Sequence, residues 1–217
     1  MAIAPTPSTP PRWCAACGQE TLGLRCTNAW CRRQDREWSV VYSAGTYEGE
    51  LRRAIVGYKY RGQRHRAQVL SRLLAGYLED NATWFEEYDI LTAMPAYTGP
   101  GARRTWDPVG CLVAELAKRV GHSWAVNPAL VEKVGETEPM RGLTQWQRAR
   151  SAECSLRRVL RAGACDVTGA RILVVDDVFT EGSTLREVAR VLRRAGADEV
   201  AGLMLARPAL GVATRHR

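Results

Sequence analysis

The stretch from Arg171 to Leu192 reads as a buried strand, a short polar loop and a helix. Residues 172–175 form a short apolar run rich in β-branched side chains, which predicts a strand. After the loop, apolar residues recur at three- and four-residue spacing before a glycine, which predicts a helix: Leu185, Val188, Val191 and Leu192, then Gly196. A buried strand that runs directly into a helix is typical of α/β folds with a parallel sheet.

The loop between this strand and helix combines two acids with a turn of the size of a phosphate. Asp176 and Asp177 lie at the carboxyl end of the strand, where open α/β sheets bind ligands. The backbone N–H groups of residues 180–184 lie at a helix N-terminus, which suits a phosphate dianion. A sugar phosphate would satisfy both features, because its hydroxyls or bound Mg²⁺ would meet the acids. A buried strand ending in a solvated Asp-Asp turn would explain the acids but not the loop.

A second pattern is the pair of cysteine motifs near the N-terminus, Cys14-x2-Cys17 and Cys26-x4-Cys31, with Gly18 directly after the first pair. Four thiolates at this spacing are typical of a closed tetrahedral Zn²⁺ site that contributes folding energy. Two disulfides are the alternative interpretation. No secretory signal precedes the cysteines, so we expect a reducing, cytoplasmic compartment and favour zinc.

Length and charge suggest the domain organisation and the class of partner. A chain of 217 residues fits one domain of about 150 residues and a small appendage. The net charge of +8 indicates an anionic partner, and a phosphorylated substrate or nucleic acid would satisfy it equally. No apolar run reaches the length of a membrane span. We predict a disordered tail at 1–12, a four-cysteine zinc module at 13–37 and an α/β domain at 38–217.

Between the two motifs, strand and helix patterns alternate as in a doubly wound sheet. Strand-like segments are predicted at 38–47, 88–95 and 200–205. Helical patterns are predicted at 50–55, 67–78, 107–120 and 147–160, with a basic break at 57–64. Asp107 and Pro108 predict an N-cap and first turn. The three isolated cysteines are expected to be small buried hydrophobic residues: Cys111, Cys154 and Cys165.

The stretch 171–184 resembles the 5-phosphoribosyl-1-pyrophosphate (PRPP) motif of type I phosphoribosyltransferases. In that motif, paired acids contact the ribose hydroxyls and the loop holds the 5′-phosphate. The resemblance implies that Asp176 and Asp177 are the catalytic acids, and that PRPP is bound by them and by the loop residues Thr180, Glu181, Gly182, Ser183 and Thr184. Glu181 stands where threonine is commoner, and we expect its side chain to point outward.

With the four-cysteine module included, nearly the whole chain is similar to the ComF (competence protein F) family, also described as amidophosphoribosyltransferase-like. The segments 47–52 and 58–62 and the pair Met94-Pro95 resemble that family. Arg104-Thr105-Trp106-Asp107 stands where the family usually has Arg-Gly-aromatic-Asn. Met140 and Ser151 stand where it usually has glutamine and asparagine, which bears on the acceptor side of the pocket.

The resemblance implies a Mg²⁺-dependent phosphoribosyltransferase that displaces pyrophosphate from C1 of PRPP with an amine or nucleobase. Arg103 and Arg104 are the first candidates for the pyrophosphate side. Weaker candidates are Lys133, Arg141 and Arg148. The carboxylate of Asp177 is expected to face a ligand and not a buried partner.

A second class of function stays open at this point. The same pocket could sense PRPP or a nucleotide without turnover, in a protein associated with DNA uptake. The zinc module and the arginines would then bind nucleic acid or a competence-type protein partner. Retention of both acids and the loop favours the enzyme, whereas Met140 and Ser151 leave room for the second class.

Overall fold

A computed structural model describes residues 14–21, 26, 28, 31, 33, 36–121, 124–137 and 153–209. The predicted tail at 1–12 lies outside these residues. So do four residues that the sequence singled out: Met140, Arg141, Arg148 and Ser151.

Within the described residues, five parallel strands form the central sheet, and two further strands form a separate antiparallel pair. The sheet has the order β1-β7-β6-β2-β3, made of β1 (Val41–Ser43), β7 (Glu199–Ala206), β6 (Arg171–Val178), β2 (Ile90–Ala93) and β3 (Ala125–Val126). The antiparallel pair is β4 (Val131–Lys133) with β5 (Leu160–Ala162). The helices are α1 (Gly49–Tyr60), α2 (Arg66–Asp80), α3 (Ala82–Phe85), α4 (Pro108–Val120), α5 (residues 153–159) and α6 (Ser183–Arg194).

The order of the strands creates a crevice between β2 and β6. β2 leads through α4 to β3, which lies on the side away from β6. β6 leads through α6 to β7, on the side away from β2. The chain thus leaves this pair in opposite directions, and right-handed crossovers place α4 and α6 on opposite faces of the sheet. Ligands of open α/β sheets bind at such a switch point, beyond the carboxyl ends of the strands.

The core is built on the two long central strands. The side chains of Ile172, Leu173, Val174 and Val175 in β6 are completely buried. A continuous apolar run is what a parallel strand covered on both faces requires. The predicted strand at this position, the helix after it and the α/β fold class with a parallel sheet flanked by helices are confirmed.

Helix α6 is buried on more faces than its apolar pattern indicates. Its charged side chains Arg186, Glu187 and Arg190 are buried together with the leucines and valines. Glu187 accepts from Arg186 and Arg190, each at 2.6 Å, and from Arg157 of α5 at 3.1 Å. The buried carboxylate is thereby paired, as a charge inside a protein requires.

Two sequence predictions of local structure are wrong. The predicted basic break at 57–64 begins too early, because α1 continues through Gly57 to Tyr60. A side chain at Gly57 would approach the Gln63 side chain to 2.1 Å, so the glycine allows the chain to pack closely where it turns toward α2. The isolated cysteines are exposed rather than buried, because they lie on the outer sides of α4 and α5 and in a turn after β5: Cys111, Cys154 and Cys165.

The predicted cap of α4 is confirmed and gives a first test of the fold. Asp107 Oδ1 accepts from the backbone N–H groups of Val109 and Gly110, both at 2.9 Å. Asp107→Ala should lower the free energy of unfolding by about 1 kcal/mol, because two N–H groups at the helix start lose their acceptor. Denaturant unfolding measures the loss, with Asp198→Ala at an exposed position as the control. Equal small effects for both variants would contradict the capping role.

Candidate functional site

An open cleft lies at the switch point, with an empty volume of about 300 Å³ that includes space open to solvent. Met94 reaches it from the end of β2, and Met204 from β7. The other lining residues belong to one continuous stretch at the end of β6 and the start of α6: Asp176, Val178, Phe179, Thr180, Gly182, Ser183, Thr184 and Leu185. The acid–loop segment singled out from the sequence therefore forms most of a concave site.

The loop owes its shape to Gly182. This residue has a left-handed backbone with φ +91°, and α6 begins directly after it at Ser183. The first N–H groups of a helix have no partner within the helix, and the helix dipole favours an anion there. Ser183 and Thr184, which carry hydroxyl groups, line the same cleft. Together these donors suit a phosphate dianion.

Close packing also requires glycine at position 182. A Cβ atom there would lie 2.7 Å from Cζ of Phe179 and 2.9 Å from Cη2 of Trp38. The two rings pack edge to face, with centroids 6.0 Å apart. Both the positive φ and the absent side chain are therefore used at this turn.

The two acids at the end of β6 have different environments. Asp176 is half-buried, lines the cleft and accepts the N–H of Asp177 at 2.8 Å. Asp177 is only 4% exposed, and its Oδ1 accepts the N–H of Val178 at 2.7 Å. Its Oδ2 lies 2.5 Å from Nζ of Lys59, in the last turn of α1. The expectation that Asp177 faces a ligand and not a buried partner is therefore wrong.

Lys59 is a site residue that the sequence analysis did not assign. Its only signal was its place in the segment 58–62 that resembles the ComF family, far from the acids along the chain. Burial lowers the pKa of Lys59, but the charges of Asp177 and Asp176 outweigh burial and raise that pKa above its ordinary value. The ammonium group therefore stays charged beside the acids.

The pKa of Asp176 is raised in its turn. Burial of the carboxyl is the main cause, the charge of Asp177 adds to it, and Lys59 acts in the opposite direction. Because the Lys59 ammonium pairs with Asp177, the net negative charge beside the loop is smaller than two acids alone would give. This arrangement removes much of the repulsion that two free carboxylates would exert on a phosphate.

The two arginines expected on the pyrophosphate side do not line the cleft. The backbone N–H of Arg103 donates to Glu136 Oε1 at 2.9 Å, and its guanidinium donates to the carbonyl oxygen of Thr137 at 3.1 Å. The Arg104 guanidinium stacks over the ring of Tyr60, 4.8 Å from the centroid. Lys133 donates to the Thr137 hydroxyl at 3.4 Å. Arg103 and Lys133 thus both contact the 136–137 segment.

A basic and aromatic surface adjoins this end of α1. Besides Arg104 on Tyr60, the guanidinium of Arg64 lies 4.9 Å from the ring centre of Trp106. Tyr60 is 59% exposed, and the Lys59 ammonium lies 5.7 Å from its ring centre. We call Tyr60, Arg64, Arg104 and Trp106 the basic–aromatic patch.

The four N-terminal cysteines come together as one cluster. The sulfur atoms of Cys14, Cys17, Cys26 and Cys31 all lie within 4.8 Å of one another. The Cys17 and Cys26 sulfurs are 3.7 Å apart, close to the spacing of about 3.8 Å that Zn–S bonds of about 2.3 Å give in a tetrahedron. Hydrogen bonds among the thiols lower the pKa of Cys14 and raise the pKa values of Cys17 and Cys31, so the protons are shared within the cluster. The cluster could hold a metal ion and suits a structural zinc.

Comparisons with known proteins agree with the fold. The family described as "Phosphoribosyl transferase domain" matches residues 132–210. Competence protein F of Haemophilus influenzae is 27% identical over 202 residues, which cover 90% of this chain and 84% of the relative. DNA utilization protein YhgH of Salmonella typhimurium is 26% identical over 189 residues, covering 86% and 80%. The resemblance to the ComF family predicted from the sequence is confirmed.

Among solved structures, a hypoxanthine-guanine phosphoribosyltransferase from Bacillus anthracis is similar over 65% of this chain and 68% of its own, with a TM-score of 0.41 and 13% identity. At that TM-score the likeness carries no inference about function. In the part of the chain that the structure describes, no helix is both long and apolar enough to cross a membrane.

Proposed function

We propose, from the premise that this chain is a ComF-like protein with a type I phosphoribosyltransferase domain, that it binds PRPP with Mg²⁺ and transfers the phosphoribosyl group to an amine or nucleobase. One observation carries the proposal. An acid and a phosphate-sized loop on one continuous segment line a single cleft at the switch point of the sheet. A phosphate alone would need only the loop, whereas a sugar phosphate would use the loop for its phosphate and the acids for its hydroxyl groups.

The proposed binding mode follows from the geometry. The 5′-phosphate accepts from the N–H groups of residues 180–184 and the hydroxyls of Thr180, Ser183 and Thr184. Asp176 accepts from a ribose hydroxyl in the cleft. Asp177 accepts from a second ribose hydroxyl when Lys59 moves away from its Oδ2 atom. While the ion pair with Lys59 is intact, Asp177 holds the end of β6 in place. Glu181 contributes its backbone, since its side chain does not line the cleft.

The proposed reaction exchanges one bond at C1 for another. The bond from C1 to the pyrophosphate oxygen breaks, and its electron pair leaves with pyrophosphate. The acceptor nitrogen supplies the electron pair of the new C1–N bond and loses a proton. Mg²⁺ would neutralise the charge of the leaving group, and carboxylate oxygens such as those of Asp176 fit its preference for oxygen ligands. Arg103 and Arg104 are proposed for the pyrophosphate side, after a movement of the loop that carries them.

Residues 13–37 form a module in which Cys14, Cys17, Cys26 and Cys31 hold one structural Zn²⁺, and residues 38–217 form the transferase domain. Thiolate ligands must stay reduced, so we place the protein in the cytoplasm.

A titration and a product screen test the proposed function. PRPP is titrated into the protein with and without Mg²⁺ by calorimetry, and pyrophosphate release is screened over nucleobases and amines. We expect binding that strengthens with Mg²⁺, and release with one class of acceptor. Absence of PRPP binding under both conditions would reject the proposal. Binding without release for any acceptor would favour the second candidate.

The second candidate is a non-catalytic PRPP- or nucleotide-sensing protein that binds nucleic acid or a competence-type protein partner. The basic–aromatic patch favours it, because stacking rings beside arginines suit single-stranded nucleic acid. The relatives named competence protein F and DNA utilization protein are compatible with it. Salt-dependent binding of a single-stranded oligonucleotide, weakened by Tyr60→Ala, would support this candidate.

The Lys59–Asp177 pair gives a prediction that separates binding from folding. Asp177→Asn should lower the free energy of unfolding by about 2 kcal/mol, because the Lys59 ammonium loses its buried partner. Lys59→Met added to Asp177→Asn should restore part of that loss. Denaturant unfolding of the two single variants and the double variant measures the coupling. Additive effects would show that the pair is not formed in solution.

Asp177→Asn also tests whether Asp177 contacts the ligand. PRPP with Mg²⁺ should raise the melting temperature of the wild-type protein and raise it less for Asp177→Asn. If Asp177→Asn unfolds earlier yet keeps the full ligand-induced shift, Asp177 is structural and does not contact the ligand.

A further inference from the structure

Several contacts join the four-cysteine cluster to the loop that forms the cleft. We infer that the cluster, through Arg207, Trp38 and Asn28, positions this loop, so that metal loading of the cysteines controls sugar-phosphate binding. The ligand part of this inference rests on the proposed function, whereas the coupling between cluster and loop does not.

Arg207, at the end of β7, makes the first connection. Its guanidinium donates to the carbonyl oxygen of Cys17 at 2.7 Å and to Gln19 Oε1 at 3.3 Å. The same guanidinium lies over the Phe179 ring, 4.8 Å from its centroid. Phe179 is buried, lines the cleft and contacts the position of Gly182. One side chain thus holds the backbone of a metal-site cysteine on one side and the loop on the other.

Trp38 makes the second connection. Its indole N–H donates to the carbonyl oxygen of Ala16 at 2.9 Å, inside the turn between Cys14 and Cys17. Its ring packs against Phe179 and leaves no room for a side chain at Gly182. The position of the indole therefore limits the room available to the left-handed turn at Gly182.

Asn28 makes the third connection, directly to the loop backbone. Its side-chain amide donates to the carbonyl oxygen of Glu181 at 3.0 Å. Asn28 lies between Cys26 and Cys31, and its own carbonyl accepts the N–H of Cys31 at 3.2 Å. The orientation of Asn28 is therefore tied to the second cysteine pair.

These acceptors and donors share a physical dependence. In the cysteine module, Ala16 lies between Cys14 and Cys17, the Cys17 carbonyl belongs to a cysteine of the cluster, and Asn28 lies between Cys26 and Cys31. Metal coordination by the four cysteines would fix all three positions. If the turns relax, the buried indole N–H and guanidinium lose acceptors, which is costly enough for their side chains to rearrange. The phosphate loop would then lose its packing against Trp38 and its hydrogen bond from Asn28. The loop should loosen while the far side of the sheet keeps its structure.

Hydrogen exchange on the zinc-loaded, full-length protein tests the coupling without any ligand. Amide exchange is compared before and after removal of zinc with a chelator. We expect about five-fold faster exchange at residues 178–185, the scale of losing one ordinary hydrogen bond, with β2 unchanged. Unchanged exchange in the loop would overturn the inference. Uniform loss of protection would also overturn it, because the metal would then support the whole domain.

Variants identify the connecting residues. Trp38→Phe removes the indole N–H, and Arg207→Gln removes the guanidinium. Both variants should keep zinc and show faster amide exchange in the loop. Both should also bind ribose 5-phosphate about five-fold more weakly. Trp124→Phe is the matched control, because it removes an indole N–H that donates to the Phe85 carbonyl oxygen at 3.3 Å. Loss of zinc in Trp38→Phe, or equal effects of the control, would contradict the inference. If the wild type binds neither PRPP nor ribose 5-phosphate, the proposed function fails, while the exchange data still decide the coupling.

Discussion

Gly182→Val should weaken PRPP binding at least about tenfold, the scale of losing one hydrogen bond to a charged group. Valine is strained at φ +91°, and its Cβ would lie within 3 Å of the rings of Phe179 and Trp38. The turn must move, and the N–H groups at the start of α6 move with it. Calorimetric titration with PRPP at fixed Mg²⁺ and salt measures the loss.

Glu181→Thr is the matched comparison at the neighbouring position. The Glu181 side chain does not line the cleft, and the substitution keeps the backbone carbonyl that accepts from Asn28. Removing a partly screened negative charge should leave PRPP affinity unchanged or slightly tighter. Equal losses in the two variants, or tighter binding in Gly182→Val, would show that the phosphate binds elsewhere. That result would favour the non-catalytic candidate.

The parts of the molecule that were predicted correctly depend on neighbours in the sequence. The strand, loop and helix of 171–194 follow from periodicity within one short segment, and the cap at Asp107 follows from two consecutive residues, Asp107 and Pro108. The cysteine spacing likewise predicted a cluster that the structure brings together. In each case the deciding interactions lie within about one turn or one motif.

The sequence did not predict the contacts between segments that are distant along the chain. Lys59 pairs with Asp177 only because α1 ends beside the carboxyl end of β6. Arg207 donates to a carbonyl oxygen 190 residues away in the chain. Such partners are chosen by the tertiary fold, and a local pattern carries no information about them.

Loss of the metal should have the largest effect on the N-terminal module. Cys14→Ser combined with Cys17→Ser removes half of the thiolate ligands, and structural zinc sites contribute about 10–16 kcal/mol of apparent binding free energy in small peptides. We expect the variant to lose zinc and residues 14–21 to lose their ordered turns. Metal analysis and hydrogen exchange of the purified protein measure these losses.

Cys165→Ser provides the control for this prediction, because that cysteine is exposed and lies outside the cluster. It should keep one zinc per chain and the wild-type melting curve. Zinc retained undiminished in the double variant, or absent from reduced and folded wild-type protein, would contradict a zinc site formed by these four cysteines. A double variant that loses zinc but keeps the protection of residues 178–185 would instead separate the two sites. The module would then be a local structural element without control over the phosphate loop, and the contacts of Arg207 and Trp38 would serve packing alone.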